Sequence, residues 1–267
     1  MNDNSIEYRK EGPIAYVTIN RPQAMNAMDP PTSAAMARAW ADFVADDSLL
    51  VGILTGAGDK AFCAGADLKY RLQHPEFSMG RGEHSFPQQF GGIVRGLTPK
   101  PIIAAINGYC LGGGMELALA CDIAVASETA MLGLPEVLNA GTVPGSGGAL
   151  RIPRQVPLKI AMWMLLSGER ISAAEAYRVG LVNRVVPPGE LMAEATRMAH
   201  IIARNRPAAV RQAKEIALRS LDRQLLGNYD AWELYDLIPA GEAENQAQLD
   251  ARRAFFARGA AVAGNRP

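Results

Sequence analysis

Cysteine is scarce in this sequence. The three residues, Cys63, Cys110 and Cys121, are odd in number and form no CxxC pair. That excludes a disulfide framework and reads as small buried thiols kept reduced, as in a cytosolic protein. Histidine is equally sparse: His74, His84 and His200 show no metal-ligand spacing. Excess charge is absent too, with 27 Lys+Arg against 27 Asp+Glu, so the whole-molecule field draws the chain neither to nucleic acid nor to an anionic membrane. The first residues, MNDNSIEYRKEG, hold no apolar stretch and carry acids early, so neither a signal nor a transit peptide is expected and the location is read as cytoplasmic. A long hydrophobic run is missing as well. The most apolar window, 102–126, is broken by Asn107, Glu116, Asp122 and a glycine triplet, which suits a buried strand, a helix and a second strand better than a membrane span.

What is present is a large apolar fraction, 49% of 267 residues. This excludes intrinsic disorder and suits one large domain, or one with a smaller appendage. A chain of this length buries roughly 75% of its unfolded surface and needs no disulfide or structural metal for its core. The run Ile14–Ile19 reads as a strand after a Gly12-Pro13 turn. A helix over about 32–46 is entered through Asp29-Pro30-Pro31. Leu49–Thr55 and Pro101–Ile106 read as buried strands, 114–121 as a helix and 122–126 as a strand. Residues 70–90 are polar and lack a period, the composition of a lid, a binding loop or a locally disordered segment. A Gly/Pro-rich stretch covers 133–148. Beyond Pro157 helices dominate, at 157–167, 172–179, about 190–204 and 207–225, with one strand at Leu181–Val186. Strands alternating with helices, followed by a helical end, predict an α/β fold with a helical C-terminal region. No tandem repeat of fixed period is visible.

Several candidate chemistries fall away. Gly56-Ala57-Gly58-Asp59-Lys60-Ala61 nearly matches a dinucleotide fingerprint, but no long amphipathic helix follows and no strand-ending acid stands about 20 residues on, so it reads as a turn. Pro144-Gly145-Ser146-Gly147-Gly148 lacks the first glycine of a nucleophile elbow, which leaves Ser146 as a turn or helix-entry residue. The strongest local signal is Asn107-Gly108-Tyr109-Cys110-Leu111-Gly112-Gly113-Gly114-Met115-Glu116. It leaves a buried strand, passes three glycines and opens a helix. Such a loop lets backbone approach a ligand and aims N–H groups and a positive helix end at developing negative charge. Glu116 in the first turn could simply complement the helix dipole. Glu136, set among Leu134, Val137 and Leu138, is either a salt-bridged surface acid or an acid held at a site with a tuned pKa. Two carboxyls could share acid and base work on one water; spacing alone does not bring them together.

These segments together resemble the enoyl-CoA hydratase/isomerase (crotonase) family. The resemblance is carried by Ala61–Lys69, by Pro101–Gly108 running into Gly112–Ala118, by Cys121-Asp122-Ile123-Ala124, and by Leu134-Pro135-Glu136 with Gly141–Gly148. Asn20-Arg21-Pro22, Met25-Asn26-Ala27-Met28 and Gly180–Val186 also match. It runs in register from about residue 5 to about 225.

The resemblance implies a crotonase-like spiral of ββα units over 1–195 and a helical C-terminal trimerisation region over 196–267, in homotrimers or hexamers. It implies an acyl-CoA thioester as substrate, with coenzyme A part of that substrate and no metal or redox cofactor. The N–H groups of Ala66 and Gly113 would form the oxyanion hole, and Glu116 and Glu136 match the two glutamates of the hydratases. Ala64, Ala66, Asp67, Leu68, Lys69 and Gly113 would bind substrate. Possession of both glutamates points to enoyl-CoA hydration, with an isomerase or another acyl-CoA lyase as the alternative and a noncatalytic RNA-binding relative as a remote one. The family often ends in Ala-Phe followed by an acid, Lys-Arg and a Pro; here Ala254–Ala261 keeps an aromatic and one cation and loses the rest.

Overall fold

The long apolar strands become the middle of a six-stranded sheet. A computed structural model describes residues 4–74, 90–94 and 98–222. Strands β1 (Ile6–Glu11), β2 (Ile14–Ile19), β3 (Val51–Gly56), β5 (Ile102–Ile106), β7 (Ile123–Ser127) and β10 (Arg184–Val186) lie in that spatial order. Within this sheet the β1–β2 hairpin is antiparallel and the other pairs are parallel. The central strands are apolar throughout because both faces are covered. Ala15, Val17, Ile19, Leu54, Ala104 and Ala126 point into one core, while Ile14, Tyr16, Ile53, Ile103, Ala105 and Val125 point into another. This is the period-2 alternation of a strand with two buried faces.

A second, four-stranded sheet runs in the order β4 (Ala61–Cys63), β6 (Tyr109–Leu111), β8 (Met131–Gly133) and β9 (Arg170–Ser172). Its first three strands are parallel and β9 is antiparallel to β8. Each turn of the chain gives one strand to each sheet and then a helix. After β3 and β4 comes α2 (Leu68–Gln73), after β5 and β6 comes α3 (Gly113–Ala120), and after β7 and β8 comes α4 (Glu136–Asn139). The spiral of ββα units expected from the resemblance is therefore the architecture. The repeat has no fixed period because the connecting lengths differ, which hides it from a search for regular spacing.

Helix α1 (Pro30–Ala45) precedes the first unit; Asp29 caps it by accepting from the Thr32 N–H at 2.8 Å. The helices α5 (Gly148–Gln155), α6 (Leu158–Ser167) and α7 (Ala173–Arg178) come after α4. The first of these begins at the end of the Gly/Pro-rich stretch and passes through Pro153. The expected strand over 181–186 is shorter, Arg184–Val186. Helix α8 (Leu191–Ala203) lays Leu191, Ala195 and Ala199 across the outer face of the large sheet. Helix α9 (Pro207–Asp222) is tied down by Lys214, whose Nζ donates to Asp122 Oδ2 at 2.7 Å and to the Lys100 carbonyl at 3.0 Å. No helix among the described residues is long and apolar enough to cross a membrane.

Candidate active site

The site forms where β4, β6 and β8 end side by side. Cys63 pairs with Cys110 and Leu111 with Gly133. That register sets the next residues of each strand, 64–67, 112–116 and 134–136, around one place. Ligands gather at the carboxyl ends of parallel strands in open α/β sheets for the same reason. Glu136, 20 residues beyond Glu116 in sequence, is brought to the loop that opens the Glu116 helix: a Cβ placed on Gly112 would lie 3.2 Å from Glu136 Oε1, and the Glu116 charge acts on Glu136.

The glycine triplet serves close packing as well as exposure of backbone. Gly112 has φ +56, a backbone conformation that L side chains rarely adopt, and hands its N–H to the Gly133 carbonyl at 3.0 Å. A Cβ on Gly114 would lie 2.0 Å from the Cys63 carbonyl oxygen, so no side chain fits there. On Gly113 it would strike the Phe90 ring at 2.6 Å, so that wall is made by a residue the sequence had not singled out. Gly113 is the first residue of α3, whose opening N–H groups have no partner within the helix.

Ala66 comes beside this turn through a parallel bridge to Met28. The Gly65 carbonyl accepts from the Met28 N–H and the Asp67 N–H donates to the Met28 carbonyl, each at 2.8 Å. The N–H of Ala66 itself therefore points away from Met28. Gly65 lies against the other loop, since a Cβ there would be 3.1 Å from the Gly113 nitrogen. Ala64 donates to the Met25 carbonyl at 3.1 Å. Asp67 caps α2 by accepting from the Tyr70 N–H, and its other oxygen takes Arg21 at 3.0 Å. Arg21 also pairs with Asp29 at 3.0 Å, so one guanidinium joins the capping residues of α1 and α2. Leu68 is half-buried and Lys69 exposed on α2. The Asn20–Met28 motif is thus the support for the 64–67 segment. Its buried Asn26 donates to the Ala61 carbonyl at 2.6 Å and to the Ala57 carbonyl at 3.0 Å. The near-fingerprint at Gly56–Ala61 is the turn between β3 and β4, held by these bonds.

The two carboxyls have different surroundings. Glu116 is 2% exposed. Its Oε1 accepts from the backbone N–H of Ser146 at 2.6 Å and of Gly148 at 2.8 Å. Burial pushes its pKa up, and those N–H groups and the positive charge of Arg151 work against the rise. Glu136 is raised by burial and then by the charge of Glu116, while its Oε2 is buried with no hydrogen-bond partner. Ser146 is a turn residue just ahead of α5, and it presents its backbone N–H to Glu116. Arg151 was not legible in the sequence as part of the site.

His74 stacks on the Tyr70 ring, with centroids 4.2 Å apart, and His200 is exposed on α8. All three thiols are buried and free. No group of three or more His, Cys, Asp or Glu that could hold a metal occurs among the described residues. His84, most of the 70–90 loop and the tail at Ala254–Ala261 lie outside the described residues.

A spiral of ββα units whose small sheet delivers two glutamates beside a glycine-opened helix defines a class of α/β enzyme core. The chain belongs to the enoyl-CoA hydratase/isomerase family, which it matches over residues 9–234. It is 39% identical over 259 residues to the short-chain-enoyl-CoA hydratase of Clostridium acetobutylicum, covering 96% of each chain. It is 43% identical over 213 residues to the (E)-benzylidenesuccinyl-CoA hydratase of Thauera aromatica, covering 79% of this chain and 81% of that one. Among solved structures, the carnitinyl-CoA hydratase from Mycobacterium avium superposes with a TM-score of 0.74 at 37% identity, covering 94% of this chain and 89% of that one.

Proposed function

We propose that this protein adds water across the 2,3-double bond of an acyl-CoA thioester, with Glu116 and Glu136 sharing the proton transfers. The chain is a crotonase-type acyl-CoA hydratase, a lyase. The observation that carries the division of labour is the contrast between the two acids. Glu116 accepts two N–H bonds on one oxygen, the environment of a carboxylate. Glu136 has an oxygen with no partner beside that charge, the environment of a carboxyl that keeps its proton. Two coupled acids of this kind hold one proton between them. In the reaction Glu116 takes a proton from the water as its oxygen bonds to Cβ, and Glu136 delivers one to Cα. The N–H groups of Ala66 and Gly113 hold the thioester oxygen as charge moves onto it, so the intermediate is an enolate rather than a free carbanion. Ala64, Asp67, Leu68 and Lys69 line the approach of the coenzyme A portion, Asp67 as part of the scaffold, since its carboxylate holds Arg21 and the α2 cap and its N–H bonds the Met28 carbonyl. Proton transfer and backbone hydrogen bonds carry every step of this reading, and the protein works in the cytoplasm. Loss of the enoyl-thioester absorbance on mixing with crotonyl-CoA tests it, and unchanged absorbance across a series of acyl chain lengths would refute it.

The enzyme works as a homotrimer or a pair of trimers. Helix α6 leaves Leu158, Trp163 and Leu166 at 60%, 58% and 71% exposure, and Leu138 of α4, which packs on α6, at 65%, apolar side chains that a neighbouring subunit would cover. A stable monomer by sedimentation at micromolar concentration would remove this assignment.

A further inference from the structure

Glu116 depends on a loop, and the loop depends on one cation. The N–H groups that bind Glu116 belong to Ser146 and Gly148. Arg151, one turn into α5, donates through Nη1 to the Ser146 carbonyl at 3.2 Å and through Nη2 to the Val94 carbonyl. Val94 closes the 90–94 segment, whose Phe90 ring packs on Gly113. A single planar guanidinium therefore fastens the loop that presents N–H groups to Glu116 to the segment that walls Gly113. We propose that Arg151 is the positioning residue of this site: its forked contact to the Ser146 and Val94 carbonyls keeps the Ser146 and Gly148 N–H groups on Glu116. The proposal deepens the hydratase reading and rests on it.

The physical basis is geometric first. A backbone N–H pair at hydrogen-bond distance stabilises a carboxylate only while the loop holds its shape, and an arginine fork fixes a carbonyl direction that a point charge does not. The charged groups facing Glu116 are Arg151 from α5 and Glu136 from α4. The thiols of Cys63 on β4 and Cys110 on β6 also pack against α3, and burial keeps both neutral. Arg151 is thus the positive charge offsetting burial at Glu116, alongside the two N–H groups and the Ser146 side chain.

The test compares Arg151→Met and Arg151→Lys with the unmodified enzyme, using crotonyl-CoA hydration over a range of pH. Arg151→Met is expected to lower kcat by about tenfold to a hundredfold, part of the scale of a misplaced acid or base, with KM nearly unchanged. The acid limb of its kcat profile should move to higher pH, because Glu116 ionises less readily once the positive charge is gone. Arg151→Lys keeps the charge and loses the fork, so its limb should return toward the original position while kcat stays between the two. A carbon-13 titration of the Glu116 carboxyl, assigned with Glu116→Gln, reads the same shift without catalysis. An unmoved Glu116 midpoint in folded Arg151→Met overturns the proposal, as does a KM rise with normal kcat. Should Arg151→Met fail to fold, Arg151→Lys decides: reduced kcat at unchanged KM supports the role, and full activity overturns it. An unmodified enzyme that hydrates no enoyl-CoA sinks the functional reading instead, and the carboxyl titration still judges Arg151.

Discussion

The two walls of the site treat the same side chain in opposite ways. On the α3 wall, Glu116 is built into the protein: its backbone N–H bonds Gly112 at 3.0 Å, and its carboxylate is held by Ser146 and Gly148. On the α4 wall, Glu136 stands at the start of a four-residue helix, with Val137 and Leu138 exposed beside it and one oxygen without a partner. Two identical acids thus sit in different surroundings. In the proposed division, the donated hydrogen bonds suit one to act as the base, and their absence beside a like charge suits the other to act as the acid.

The contrast between the walls stands or falls first on hydration itself. Glu116→Gln and Glu136→Gln each keep size and lose proton transfer, and each should reduce crotonyl-CoA hydration by about 10²–10⁴. The double variant should lose less than the product, because both act on one water. Parallel assays of double-bond migration separate the two chemistries. An isomerase moves a proton between carbons and can work with one acid, so a Glu116→Gln enzyme that retains full hydration refutes the division proposed here.

A somewhat smaller effect refines the picture of the α3 wall. Gly113→Val turns a side chain into the Phe90 ring and disturbs the first N–H of the helix, and should cost about 10²–10³ in turnover, the scale of one lost preorganised donor. The phenyl ring can move, so the protein should still fold. Gly114→Ala meets backbone at Cys63, which cannot move without breaking the β4–β6 pairing, and should cost about 2 kcal/mol or more in stability. Thermal unfolding and kcat measured on both variants check the contrast. Equal loss of stability in the two would mean that Phe90 is as fixed as the backbone.

The weakest effect concerns the α4 wall and pH. Burial holds the Glu136 carboxyl above its ordinary range, so the folded protein keeps a proton that the unfolded chain has released. The stability this contributes is complete below the ordinary carboxyl pKa and is lost as pH rises through the raised one. Glu136→Gln removes the titration, and its Tm should exceed that of the unmodified protein by about 2–4 °C for each kcal/mol regained near pH 8.5, with no gain near pH 4. A Tm difference independent of pH would show that Glu136 is ionised in the resting protein.

Much of this was legible from residues alone, for identifiable reasons. The strands β2, β3, β5 and β7 are apolar on both faces, so composition marks them without help. The helix after Gly112–Gly114 follows from the glycines and from Glu116 in its first turn. The strands β4, β6, β8 and β9 are three residues each, too short for any periodicity to register. Three of them, β4, β6 and β8, build the site. Arg151 escaped notice because its partners are carbonyls at Ser146 and Val94, and backbone acceptors leave no mark in a sequence.

Residue types and their order are enough to make this an α/β core of the enoyl-CoA hydratase/isomerase family with two glutamates and a glycine turn. Folding alters neither the types nor the order. The meeting of Glu116 and Glu136, and the supply of hydrogen bonds to one and not the other, came from the tertiary structure. The register of three short parallel strands and a loop anchored by Arg151 set those surroundings, and a carboxyl's proton affinity depends on its surroundings in space rather than on its neighbours in the chain.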